Sequence, residues 1–110
     1  MPRRDPDLLV SDILAAILRI QRHVGEMDRE SFLQDEKTID AVVRNLEVIG
    51  EASGQLPDDF TGRYPKVPWR QISGLLNRIV HEYFGVDLEI IWQVLHDDLP
   101  ALRDQMEKLA

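Results

Sequence analysis

Apolar residues recur along the chain at steps of three and four, the spacing of one face of an α-helix, and no stretch alternates in the way a half-buried strand does. The first such stripe follows Asp5-Pro6, a capping carboxylate with proline in the tolerated first turn. It runs through Leu9, Ile13, Ile17, Ile20 and Val24 until Gly25 stops it. After a turn containing Ser31-Phe32-Leu33, a second helix is expected from near Asp35, with Ile39, Val42, Leu46, Ile49 and Ser53 forming a coiled-coil-like seam. Gly50 and Ala52 are small enough there to let another backbone approach, and Gly54 with Pro57 is expected to end the helix.

The 56–68 stretch holds prolines and a glycine and reads as a loop with one extra helical turn around Asp58-Asp59-Phe60. A third helix is expected from Pro68-Trp69 through Ile72, Leu76, Ile79 and Tyr83, closed by Gly85. Asp87 is expected to cap a fourth helix striped by Leu88, Ile91, Leu95, Leu99, Leu102, Met106 and Leu109, with Pro100 kinking or dividing it. The expected fold is all-α: an antiparallel four-helix bundle formed by a single domain over residues 1–110.

Composition narrows the chemistry. The 110 residues contain no cysteine, which removes disulfides, thiolate metal sites and thiol nucleophiles, and is compatible with a reducing compartment. Neither an apolar signal-peptide core behind Arg3-Arg4 nor a membrane-length apolar run is present, so the expectation is a soluble cytoplasmic protein without a membrane partner. The formal charge of -7 repels polyanions on average, so any nucleic-acid site must be local. Arg70 and Arg78 flank the region where such a site is expected, and two copies of it in a dimer would concentrate their charge.

That region is Asn77-Arg-Ile-Val-His-Glu-Tyr-Phe-Gly-Val-Asp. Imidazole is the side chain whose unperturbed pKa lies near neutrality, so His81 can relay protons, and Tyr83 adds a hydroxyl donor that is also a possible point of covalent modification. At ~100° per residue, Asn77, His81 and, less closely, Arg78 share a broad helix face, whereas Tyr83 falls about 200° from His81. Unwinding at Gly85 would let both face one cleft; otherwise His81 complements the helix dipole and Tyr83 packs in the core. Other patterns carry less. His81-Glu82 lacks the second histidine of a zinc-protease helix, since Gly85 stands in its place. His96-Asp97-Asp98, His23 and the Glu47/Glu51 pair read first as solvated surface, and no phosphate-binding glycine loop exists, so neither metal nor cofactor is expected.

Across nearly its whole length the chain resembles the HepT-like members of the HEPN superfamily. The resemblance rests on Asp12-Ile-Leu-Ala-Ala-Ile, Thr38-Ile-Asp-Ala-Val-Val-Arg, Ile49-Gly-Glu-Ala, Val67-Pro-Trp-Arg-Gln-Ile-Ser-Gly, the 77–87 segment and Asp98-Leu-Pro-Ala-Leu. These proteins are all-helical ribonuclease toxins that cleave RNA without metal at a cleft between two protomers, and their antitoxin is the small nucleotidyltransferase MntA. The resemblance implies a homodimer in which His81 activates the ribose 2'-hydroxyl or protonates the departing oxygen, and Asn77 supports the cleft. It also implies that Tyr83 is the residue adenylylated by an MntA-like nucleotidyltransferase, which would repel RNA from the cleft.

The family motif places an arginine before the histidine with four to six residues between them, and directly before the asparagine. That position is Leu76. Arg78 and Arg70 do not satisfy the spacing. Leucine cannot hold phosphate charge, so the expectation is an endoribonuclease weakened or inactivated at Leu76, by on the order of two to three decades in rate. The alternative is a non-catalytic dimeric partner that serves a nucleotidyltransferase as adenylylation acceptor.

Overall fold

A computed structural model describes the backbone of residues 4–81 and 88–109, and the side chains of all of these except Val80 and His81. Helix α1 spans Pro6–Val24, α2 Arg29–Gln34, α3 Glu36–Gln55, α4 Asp58–Gly62, α5 Trp69–His81, α6 Leu88–Gln93 and α7 Leu99–Leu109. The described residues contain no strand, in keeping with the all-α expectation.

Aspartates set three of the starts. Asp5 accepts from the Asp7 N–H at 2.8 Å, Asp28 from the Ser31 N–H at 2.8 Å and Asp35 from the Thr38 N–H at 3.1 Å, each satisfying a donor that the first helical turn leaves without a partner. Gly25 ends α1 at φ 53°, a left-handed conformation that glycine adopts without a Cβ penalty.

The stripes read from the sequence are the core. Leu9, Ile13, Ile17, Ile20 and Val24 of α1 are buried, as are Ile39, Val42, Leu46, Ile49 and Ser53 of α3. Helix α3 is central, packing on both α1 and α5, while α7 closes the core against α1. Within the core, Asn45 keeps its polar atoms paired: its Nδ2 donates to the Ala41 carbonyl at 2.8 Å and its Oδ1 accepts from Arg19 at 3.3 Å.

The count of four helices is not what the chain shows. The expected turn around Phe32 is the helix α2, whose Phe32 is fully buried and packs on Trp92 of α6 with ring centroids 5.2 Å apart. The helical turn expected in the 56–68 loop is α4. Helix α3 runs one residue past Gly54 to Gln55.

The fourth stripe is divided ahead of Pro100, as expected, but by a change of helix type rather than a break. A π-helical stretch, Val94–Asp98, joins α6 to α7, and the Leu99 N–H reaches back to the Val94 carbonyl. A proline ring clashes with the carbonyl four residues before it, and the wider π turn moves that carbonyl aside. Tyr83, Gly85 and the capping role of Asp87 lie outside the described residues.

A candidate nucleic-acid cleft on α5

Helix α5 carries most of the candidate site residues, and its packing on α3 decides which way each one faces. At about 100° per residue, Arg70, Gly74, Asn77 and position 81 fall within roughly 60° of one another, so they form a single stripe. Arg70, Gly74 and Asn77 line a polar groove of about 390 Å³, walled on its other sides by the end of α3 and by Asp58 and Thr61 of α4. Both Arg70 and Asn77 are exposed. His81 occupies the next position of this stripe, with its side chain outside the described residues.

The groove exists because α3 and α5 cross at small residues. A Cβ added to Gly50 would lie 3.2 Å from the Leu76 Cβ and 3.3 Å from Asn77 Oδ1, and one added to Gly54 would lie 3.3 Å from Ser73 Oγ. Gly54 meeting Ser73 while Gly50 meets Leu76 and Asn77 means that the two helices run antiparallel. The Ser73 hydroxyl donates to the Gly50 carbonyl at 3.5 Å, a long contact that ties the crossing together. The smallness of Gly50 is the sequence signal for this approach; its partnership with Ser73 has no local signal.

Leu76 points away from the groove. It is 3% exposed, packed in the core, and lines a second, largely apolar cavity of about 400 Å³ between α5 and the π–α7 segment. Aliphatic side chains such as Ile72, Leu75 and Leu102 surround it there, with Asp97 and Asp98 also on the lining. Arg78 is exposed but lies outside the residues that line the polar groove. The structure therefore brings Arg70 and Asn77 together and separates both from Leu76.

The remaining candidates are at the surface. His96, Asp97 and Asp98 are exposed on the π segment, and the His96 ring stands edge-on to Trp92 at 4.0 Å. Exposed His23 sits in the last turn of α1, and Glu47 meets Arg44 at 3.5 Å. Among the described residues, no cluster of three or more His, Cys, Asp or Glu could hold a metal ion, and no helix is long and apolar enough to cross a membrane.

The profile of the ribonuclease HepT-like family matches residues 13–109. The chain belongs to the HepT-like ribonuclease family. It is 42% identical over 109 residues to a protein of Thermococcus cleftensis named as a probable ribonuclease HepT, covering 99% of this chain and 98% of the relative. A Methanocaldococcus jannaschii protein named as an RNase is 39% identical over 109 residues, 99% of this chain and 90% of its own. A Caldanaerobacter subterraneus subsp. tengcongensis protein, also named as an RNase, is 41% identical over 80 residues, 73% and 71% of the two chains. No solved structure matches the chain. Residues 77–81 of the segment expected to carry the site form the end of α5, Asn77 among them lines the polar groove, and residues 82–87 lie outside the described residues.

Proposed function

We propose that this HepT-like chain is the cytoplasmic toxin of a toxin–antitoxin pair, a homodimer built to cleave RNA without metal and weakened by Leu76. The observation that carries the reading is the stripe on α5. Arg70 and Asn77 line one polar groove, so a cation and an amide share a cavity open to a polyanion, and the backbone position of His81 continues their stripe. In the reaction, the 2'-oxygen bonds to phosphorus as its proton passes to imidazole, and the phosphorus–O5' bond breaks as O5' takes up a proton. A 2',3'-cyclic phosphate and a 5'-hydroxyl result. Asn77 orients the phosphate, Arg70 and Arg78 supply local positive charge, and two protomers together complete the cleft.

The test is cleavage of labelled RNA in EDTA by this chain and by its Leu76→Arg form. Fragments ending in cyclic phosphate, far more abundant with Leu76→Arg, are the expected result. Equal inertness of two folded proteins would remove the ribonuclease reading.

The burial of Leu76 favours a second reading. A leucine 3% exposed and turned from the polar groove meets no phosphate, which suits a copy retained as the non-catalytic partner of an MntA-like nucleotidyltransferase, with Tyr83 as adenylate acceptor. A mass increase with that enzyme and ATP, absent from Tyr83→Phe, together with inertness of Leu76→Arg, would select it.

A further inference from the structure

The polar groove does not end at Arg70. Another open groove, of about 590 Å³, adjoins it along the loop between α4 and α5, and the two share Asp58, Thr61, Trp69 and Arg70 on their walls. Lys66 lines the extension. Lys66, Arg70 and Asp58 are exposed, and no described residue engages any of their three charged groups, so the charges stand ready around one continuous channel.

His81 lies eleven positions after Arg70, about 16 Å along the helix axis within one protomer. That is too far for both to hold one phosphate. Arg70 therefore serves a nucleotide other than the one at the histidine.

We propose a flanking-nucleotide subsite in this channel, in which Arg70 and Lys66 take the backbone phosphates of a single-stranded RNA segment and Asp58 accepts a hydrogen bond from a base amino group. The inference rests on the ribonuclease reading and deepens it. Single-stranded RNA fits because a base must leave its stack to present its edge to Asp58. A carboxylate accepts from the cytosine N4 amino group, whereas uracil places a carbonyl oxygen there, so the subsite favours cytosine over uracil. Asp58 also repels phosphates, which leaves them to Lys66 and Arg70.

The experiment is anisotropy of labelled short oligocytidylate and oligouridylate with the full chain over a range of salt concentrations. Oligocytidylate should bind about fivefold tighter, and Asp58→Asn should erase the difference. The Lys66→Ala, Arg70→Ala double variant should reduce the slope of log affinity against log salt by about 1.4, while Lys37→Ala, exposed at the end of α3 opposite the groove, leaves it unchanged. Helical circular dichroism equal to that of the parent shows that the variants fold. RNA binding with the parent's slope in the double variant, or a cytosine preference that survives Asp58→Asn, overturns the subsite and leaves the cleft reading standing. Failure of the parent chain to bind either strand at low salt overturns both.

Discussion

Gly50 of α3 and Leu76 of α5 meet so closely that a Cβ on the glycine would stand 3.2 Å from the leucine Cβ. Leu76 Cβ is fixed to the helix backbone and cannot swing aside, so any side chain at position 50 pushes α3 and α5 apart. Alanine there gains roughly 1 kcal/mol of helix propensity, which offsets most of the crowding. Gly50→Ala should therefore keep its melting temperature within a few degrees, while Gly50→Val, branched at the contact, loses about 2 kcal/mol, or about 8–16 °C. Thermal unfolding of the pair checks this, and a Val variant as stable as the parent would mean that the crossing is loose.

Leu76 itself separates stability from activity. Its truncation to alanine removes a buried side chain beside an existing cavity and should cost about 2–3 kcal/mol. An arginine has another course: its methylenes can follow the apolar lining formed by Ile72 and Leu75 while its guanidinium reaches the surface, and the ribonuclease reading requires that it emerge toward the cleft rather than toward Asp97 and Asp98. Leu76→Arg should fold with a loss of about 1–3 kcal/mol and raise RNA cleavage by about two to three decades. Denaturant titration and a cleavage assay on the same preparations measure both.

Phe32 anchors α2. Fully buried and packed at a tilt against Trp92, it joins α2 to α6, and Phe32→Ala should cost about 3–5 kcal/mol. Trp92 emission should shift toward that of an exposed indole in the same variant. An unchanged spectrum would show that α2 contributes little to holding α6.

These residues also mark where the sequence was sufficient. The α1 and α3 stripes span enough turns for a period of three and four to stand out, and their burial follows from local spacing alone. Helix α2 is too short to show a period, and the burial of Phe32 depends on Trp92, far along the chain, so the segment read as a turn. Arg70 and Asn77 are seven apart on one helix, so helical spacing contains their shared face, although in the sequence Arg70 reads only as a charge flanking the site region. The contribution of Asp58 and Lys66 depends on how the 56–68 loop folds against α5, and no local pattern encodes that. The direction of Leu76 was legible as an apolar position in a helical stripe, but its separation from the groove needed the Gly50 crossing.

Acid should loosen α2 through its cap. The hydrogen bond from the Ser31 N–H, the main cause, holds the Asp28 carboxyl below its ordinary range, so the folded state binds its proton less readily than the unfolded chain. Stability from this group is present above the unfolded pKa and is lost as pH falls through the folded one. Asp28→Asn keeps an acceptor without the charge and should remove this part of the acid sensitivity, visible as a flatter melting temperature across the carboxylate range. The Ser31 amide should report the same titration by NMR in the parent and lose it in the variant.

If RNA cleavage runs through imidazole, Leu76→Arg must depend on His81 and be silenced at Tyr83. In the Leu76→Arg background, His81→Ala should return cleavage to the level of the parent chain while leaving the affinity for oligonucleotides nearly unchanged, because the imidazole moves protons and carries little of the phosphate charge. The rate should fall at acid pH as the proton-accepting imidazole becomes charged, and again at high pH if the two protomers' histidines act as acid and base in turn. Adenylation at Tyr83 should instead weaken binding itself, since the added phosphate repels the strand and the adenosine fills the cleft. Single-turnover rates and anisotropy on the same variants separate the two effects, and a His81→Ala protein that cleaves as fast as its Leu76→Arg parent would place the chemistry elsewhere.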